Sequence, residues 1–231
     1  MTDISAVLFD MDGTLVDSDA AVARAWTYWS RLRGVDWADV ARVTPGRPAI
    51  ESIAELAPWL DPERRRADAA DLLARERADL VDVVPTPGAL DLVATLVERG
   101  MPYAVVTSAD DGLARTRLAA AGLPVPDVLV TADSVRRGKP DPEGYLMAAA
   151  RLGVPPAACL VVEDTPAGVR AGLTAGAVVA CVRDVAGAHL RVAHLGELRE
   201  IFRLHAAVRS GDSGDARPRA GLSRRTATPD E

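Results

Sequence analysis

The sequence predicts an α/β protein: a parallel, Rossmann-like sheet with helices on both faces, plus an inserted all-helical domain. Three observations predict it. Short apolar runs recur at 6–9 (AVLF), 103–106 (YAVV), 128–130 (VLV), 159–162 (CLVV) and 178–182 (VVACV). They are nearly continuous rather than alternating, as in strands buried on both faces. Helical stretches separate the later runs, and strand–helix–strand alternation gives a parallel sheet with right-handed crossovers. Between the first run and the one at 103 there is helical periodicity but no strand signal, which places a helical insert after the first strand.

Taken in order, the first strand runs into FDMDGTLVDS at 9–18. Residues 19–33 follow (DAAVARAWTYWSRLR), with Val22, Ala25, Trp26, Trp29 and Leu32 at helical spacing. Two more helices are expected over 49–57 and 61–80, the latter opening with Asp61-Pro62. The insert should rejoin the core near 15–18 and 82–88, where Pro85, Pro87 and Gly88 suit a defined hinge. Beyond it, helices are expected over 88–99, 111–121, 142–152 and 166–175, ending at Gly100, Gly122, Gly153 and Gly176. Asp141-Pro142 and Thr165-Pro166 read as a cap followed by a first turn. The division is therefore 1–17 with 84–205 as the α/β core and 18–83 as the helical insert. The tail at 206–231, rich in Gly, Ser, Pro and mixed charge, reads as disordered.

Composition narrows the function. The 231 residues are 48% hydrophobic, enough for a sizeable core, yet no apolar stretch is long enough to span a membrane. MTDISAVLFD has no basic region ahead of its apolar run and does not read as a signal peptide. A soluble, cytoplasmic protein is expected. A net charge of −6, with no basic cluster flanked by aromatics, disfavours nucleic-acid binding. Cys159 and Cys181 sit in apolar runs and read as buried thiols. His189, His194 and His205 match no metal spacing and read as surface or packing residues. Of 27 basic residues only Lys139 is a lysine, which makes it worth explaining.

Ligands of a parallel α/β sheet bind beyond the carboxyl ends of its strands. Asp10 and Asp12 follow the first run, Thr107, Ser108 and Asp110 the second, Glu163 and Asp164 the fourth; Lys139 precedes a predicted helix start. Asp10, Asp12, Glu163 and Asp164 in one crevice would repel one another unless a cation sat among them. Mg²⁺ suits such hard oxygen ligands and shares its shell with a substrate phosphate. Thr107, Ser108 and Lys139 suit the remaining phosphate oxygens, and Gly13 lets the chain turn close to the ligand. Of the two aspartates, spaced i and i+2, one can attack phosphorus while the other protonates the departing alkoxide.

FDMDGTLVDS at 9–18, VVTSAD at 105–110, GKPDPEGY at 138–145 and VVEDTPAG at 161–168 together resemble the four motifs of the haloacid dehalogenase-like hydrolases. The resemblance covers about residues 4–200 and extends to the subfamily with a helical cap between motifs one and two. It implies that Asp10 is the nucleophile and Asp12 the general acid and base. It also implies that Asp10, the Asp12 carbonyl and Asp164 hold Mg²⁺ with Glu163 nearby, and that Thr107, Ser108 and Lys139 hold phosphate. The finer resemblance, through AVARAWTYWSRLRG at 21–34 and TPGRPAIESI at 44–53, is to small sugar phosphatases. The implied substrate is a small phosphorylated metabolite, a sugar or polyol phosphate, and the implied protein a monomer or weak homodimer. That group often carries histidine where this chain has Pro45, which has no N–H to donate; Arg47 remains a cap contact for substrate. Asp17 and Trp26 are further candidates for the substrate side. A dehalogenase lacks the second aspartate, and a phosphonate hydrolase would need a lysine ahead of residue 139. A β-phosphoglucomutase would use a cap lysine and histidine absent here. A non-catalytic phosphate-binding or scaffold protein would not need the full set of motifs.

Overall fold

In the computed structural model, which describes residues 4–200 and 202, the first apolar run is strand β1 (Ala6–Phe9). After it come β2 (Val16–Asp17), α1 (Asp19–Arg33), α2 (Trp37–Val43), α3 (Ala49–Leu56), α4 (Pro62–Ala78), β3 (Val84–Pro85) and α5 (Ala89–Glu98). The chain continues through β4 (Tyr103–Val106), α6 (Asp111–Ala120), β5 (Val128–Val130), α7 (Glu143–Leu152), β6 (Cys159–Glu163), α8 (Pro166–Thr174), β7 (Val178–Cys181) and β8 (Leu190–Arg191). Six strands form one parallel sheet in the order β5-β4-β1-β6-β7-β8. The chain winds outward from β1 in both directions. That reversal opens a crevice at the carboxyl end of β1, between β4 and β6.

Alternation along β1 builds two cores. Val7 and Phe9 face one layer with Leu92 and Leu96 of α5 and Leu113 and Leu118 of α6. Ala6 and Leu8 face the other, with Tyr145 and Ala148 of α7 and Val169 and Ala171 of α8. Burial on both faces is why the strands read as continuous apolar runs. Truncating Phe9, which is fully buried, would cost about 3–5 kcal/mol.

Helices α1–α4 enclose a third, separate core of Trp26, Trp29, Val40, Val43, Ile53, Leu56 and Leu72. Trp26 and Trp29 pack edge to face with ring centroids 5.5 Å apart. Leu32, expected on the buried stripe, is instead exposed. One buried charge pins the cluster: Asp68 accepts from Trp29 Nε1 (2.8 Å) and from Arg33 Nε and Nη2 (2.6 and 2.5 Å).

Four further corrections concern elements. The stretch before residue 103 is not free of strand: β2 and β3 pair antiparallel, Val16 with Pro85 and Asp17 with Val84, at the two links of the insert. Two-residue strands carry no periodic signal, and β8 escapes notice for the same reason. Helix α2 was not expected; Asp36 caps it, accepting from Ala38 N at 2.7 Å, but seven residues show less than two periods. Helix α7 starts at Glu143, not at 142: Pro142 is the capping position, and Asp141 accepts from Glu143 N at 3.0 Å. Helix α4 ends at Ala78 rather than 80, where Asp79 leaves the helix in an extended conformation.

Cys159 and Cys181 are free and buried. His189 is exposed and accepts from Val179 N through Nδ1 at 3.1 Å; His194 is also exposed. His205 and the tail at 206–231 lie outside the described residues. Among the described residues no helix is long and apolar enough to cross a membrane.

Candidate active site

The ladder of β1 runs one residue past the strand, since Asp10 N donates to Val162 O at 2.9 Å. The chain then turns sharply. Met11 O accepts from Leu15 N and Val16 N (2.8 and 2.9 Å), and Gly13 N donates to Val16 O at 2.7 Å. Gly13 makes this possible at φ 80°, and a Cβ there would lie 2.2 Å from Asp164 Oδ2. Only a residue without a side chain lets the motif-one loop lie this close to the end of β6.

The loops after β1, β4 and β6 meet in a cleft of about 440 Å³ between sheet and helical insert. Asp10, Asp12, Thr107, Ser108 and Asp164 line its floor, and Trp26, Trp37, Pro45 and Arg47 line its roof. The sequence-predicted residues of three separate motifs thus line one cleft. Asp17 does not join them; it is exposed and turned to its own helix, accepting from Asp19 N at 3.4 Å. Trp26 belongs to both the insert core and the cleft wall.

Lys139 is 5% exposed and lies beneath the floor. Its ammonium pairs with Asp10 and, at 2.6 Å, with Glu163 Oε1. Burial disfavours its charge, but the two carboxylates outweigh this and hold it above the usual lysine value. Glu163 is fully buried, and its partners are used up. Oε1 also accepts from Tyr145 Oη (2.7 Å), and Oε2 accepts from Asp164 N and Thr165 Oγ1 (3.0 and 3.1 Å). Burial raises Glu163, yet Lys139 and these donors win and keep it ionised, below its ordinary value. Glu163 thus lies beside the place expected for a metal with its oxygens already engaged by Lys139 and the turn.

Asp10 and Asp164 behave differently. Burial, with Glu163 and Asp164 close by, pushes Asp10 well above the usual carboxylate range despite Lys139. Burial and then Glu163 push Asp164 up to about 7. Asp164 Oδ2 meets Arg183 Nε at 3.2 Å, while buried Oδ1 has no partner. Ligand oxygens of Asp10, Glu163 and Asp164 lie within 4.8 Å of one another. Three carboxylates face one lysine and one half-exposed arginine. A cation with hard oxygen preference fits this donor set, the orphaned Asp164 Oδ1 above all. The side chain of Asp12 stands apart from this cluster: its Oδ1 accepts from Ser18 Oγ (2.7 Å) and pairs with Arg117 Nη1 (2.9 Å).

Of the expected phosphate groups, Thr107 Oγ1 accepts from Ala109 N at 3.0 Å, and Ser108 Oγ donates to Gly46 O of the insert at 2.9 Å. Gly46 (φ 72°) permits that approach: a Cβ there would meet Thr165 Oγ1 at 2.5 Å. Arg47 pairs with Glu55 at 2.6 Å and leaves its buried Nε unpartnered.

Sequence reading missed Arg117 and Glu76, which are 2% and 7% exposed and form an ion pair at 2.8 Å. A signal existed. Arg117 shares the buried stripe of α6 with Leu113, Ala114 and Leu118, and Glu76 extends that of Ala69 and Leu72 in α4. A charge on an apolar stripe needs a partner. Tyr145 stood within a recognised motif without a role, and Arg183 carried no signal.

Comparison with known proteins agrees with this geometry. The haloacid dehalogenase-like hydrolase pattern matches residues 4–176. The chain is 43% identical over 175 residues to hexitol phosphatase A of Escherichia coli (strain K12), covering 76% of this chain and 81% of that protein. It is 40% identical over 177 residues to validoxylamine A 7'-phosphate phosphatase of Streptomyces hygroscopicus subsp. limoneus, covering 73% and 81%. Among solved structures, CbbY from Rhodobacter sphaeroides in complex with phosphate superposes with a TM-score of 0.75 at 27% identity, covering 84% of this chain and 96% of that one.

Proposed function

The chain belongs to the haloacid dehalogenase-like hydrolases, and from that premise we propose that it hydrolyses phosphate monoesters of small sugars or polyols through a phosphoaspartate on Asp10. The observation that carries the reading is the separation of the two aspartates. Asp10 lies in the acidic cluster beside Lys139, whereas Asp12 is held apart by Ser18 and Arg117. Two carboxylates in two environments can take two roles.

In the first half-reaction an Asp10 oxygen attacks phosphorus and the P–O bond to the sugar breaks. The Asp12 carboxyl gives its proton to the departing alkoxide. In the second, water attacks phosphorus, Asp12 takes the proton back, and the Asp10–phosphorus bond breaks to release phosphate. Asp10, Asp164 and the Asp12 carbonyl would hold Mg²⁺, which neutralises charge on the transferring phosphoryl group. Lys139 and Glu163 orient Asp10 from below. On the cleft floor Thr107 offers its hydroxyl proton to the phosphate, and Ser108 can do so in place of its bond to Gly46 O. Arg47 and Trp37 face the organic part of the substrate from the insert, which acts as a cap. Pro45 brings a surface with no hydrogen-bond donor to the same wall.

The test is a phosphate-release screen over hexose, hexitol and shorter polyol phosphates, with Mg²⁺ and with chelator. Release from sugar or polyol phosphates that chelation abolishes is the expected result. Isomerisation of a sugar phosphate without net phosphate release would overturn the reading in favour of a mutase. Failure to release phosphate from any ester would leave a binding protein.

A further inference from the structure

Arg117 is one of the most deeply buried charges in the molecule, and nothing in the two half-reactions yet uses it. It sits on α6 of the core at 2% exposure. Nη1 reaches Asp12 Oδ1 at 2.9 Å, and Nη2 reaches Glu76 Oε2, on the cap helix α4, at 2.8 Å. Burying a guanidinium and a carboxylate between two domains is poor economy for stability alone, because an apolar pair of similar volume packs as well without desolvation. The direction of the contacts gives a reason. Arg117 Nη1 and Ser18 Oγ both engage Oδ1 of Asp12. Among the described residues Oδ2 has no partner and Asp12 lines the cleft. A hydroxyl donor and a paired guanidinium on one oxygen concentrate the negative charge there and leave the other oxygen as the one that carries the proton.

We propose that Arg117 is a positioning residue for Asp12, and that Glu76 of the cap holds Arg117 in place, so that the proton-carrying oxygen faces the ester oxygen when the cap is seated on the core. The inference rests on the role assigned to Asp12 above. It concerns orientation: Arg117 pairs with one oxygen and neither gives nor takes the proton, which passes between Asp12 Oδ2 and the alkoxide or water. Glu76 is the only cap group on Arg117 among the described contacts. A cap lifted from the core would remove it.

The experiment exploits leaving-group chemistry. An alkoxide must be protonated as it departs, whereas 4-nitrophenolate leaves without help, and kcat/KM reports the first half-reaction alone. Arg117→Lys keeps a charge but is shorter and lacks the planar fork that spans Asp12 and Glu76. It is expected to lower kcat/KM about 100-fold on the best alkyl phosphate of the screen, the range for loss of a positioned acid. On 4-nitrophenyl phosphate the loss is expected to stay below about 5-fold. Glu76→Gln, nearly isosteric, should show the same contrast at about 10-fold on the alkyl ester. Equal losses on both esters, or none, would overturn the proposal by assigning the pair a structural role. If Arg117→Lys does not fold, the contrast in Glu76→Gln decides alone. A wild-type protein that hydrolyses neither ester sinks the phosphatase reading instead, which the unmodified control shows separately.

Discussion

At the scale of single residues, function turns on how carboxylates of one chemistry are told apart. Asp10, Asp12, Glu163 and Asp164 have the same headgroup, and their partners differentiate them. Glu163 is spent on Lys139, Tyr145 and the turn into α8. Asp164 keeps one oxygen unpartnered. Asp12 is held by one oxygen. Asp10→Asn removes the proposed nucleophile but keeps its shape, so turnover should fall below about 1% of wild type with a near-native thermal transition. Measurable turnover well above that level would move the nucleophile elsewhere. Gly13→Ala should be severe for a different reason. It forces a side chain into φ 80° and drives a Cβ to 2.2 Å from Asp164 Oδ2. Metal-dependent activity should drop at least about 10-fold, read as a raised Mg²⁺ requirement in a titration. The aspartates, Gly13 and Lys139 were legible because strand-end position and motif spacing give them away. The stripes of α6 and α4 marked Arg117 and Glu76 as charges in need of a partner but could not name it, because 105 and 41 residues separate Arg117 from Asp12 and Glu76.

At the scale of elements, the strands of the sheet announced themselves and the short pieces did not. β1, β4, β5, β6 and β7 were read within a residue of their bounds, since burial on both faces leaves an unbroken apolar run. β2, β3 and α2 escaped because two or seven residues cannot display a period. In the cap, packing alone does not explain α1 against α4. Asp68 of α4 ties Trp29 and Arg33 of α1 through three hydrogen bonds. Its carboxyl is held below the usual range, first by the hydrogen bond from Arg33 and against the pull of burial. Asp68→Asn leaves Arg33 facing a neutral amide in a site 14% exposed. The cap should lose about 3 kcal/mol, seen as a lower urea midpoint for quenching of Trp26 and Trp29. An unchanged midpoint would mean that the apolar cluster suffices.

At the scale of the whole molecule, cap and core are joined by polar clasps across the cleft. Arg117 meets Glu76, Arg183 meets Asp19 at 2.7 Å, Arg77 meets Asp110, and Ser108 donates to Gly46 O. Glu76 makes this joint pH-sensitive. Burial raises it from 4.5 to about 6, more than Arg117 lowers it. A raised folded-state value means that the neutral form is favoured in the native protein. The contribution is fully present below pH 4.5 and is lost as pH rises through about 6. The shift corresponds to about 2 kcal/mol. Relative to wild type, Glu76→Gln should therefore gain about 2 kcal/mol of unfolding free energy as pH rises through that window, measured by denaturant titration at matched ionic strength. A difference that stays flat with pH would place the Glu76 proton equilibrium outside folding. The same variant is expected to lose activity on alkyl esters, so stability and turnover would move in opposite directions.

The sequence by itself determined the sheet, the helical insert and the four motif clusters. Strand-end position, apolar runs and residue type are local facts, and local facts survive in one dimension. It also singled out Lys139, the one lysine among 27 basic residues. Only the tertiary structure decided what Lys139 touches: Asp10 and Glu163, not the open cleft. Only it set Asp12 apart from the acidic cluster and brought Arg117 and Glu76 beside it. The physical reason is that a buried charge is defined by the partner that neutralises it. Those partners come from β1, α4, α6 and β6, which meet only when the chain has folded.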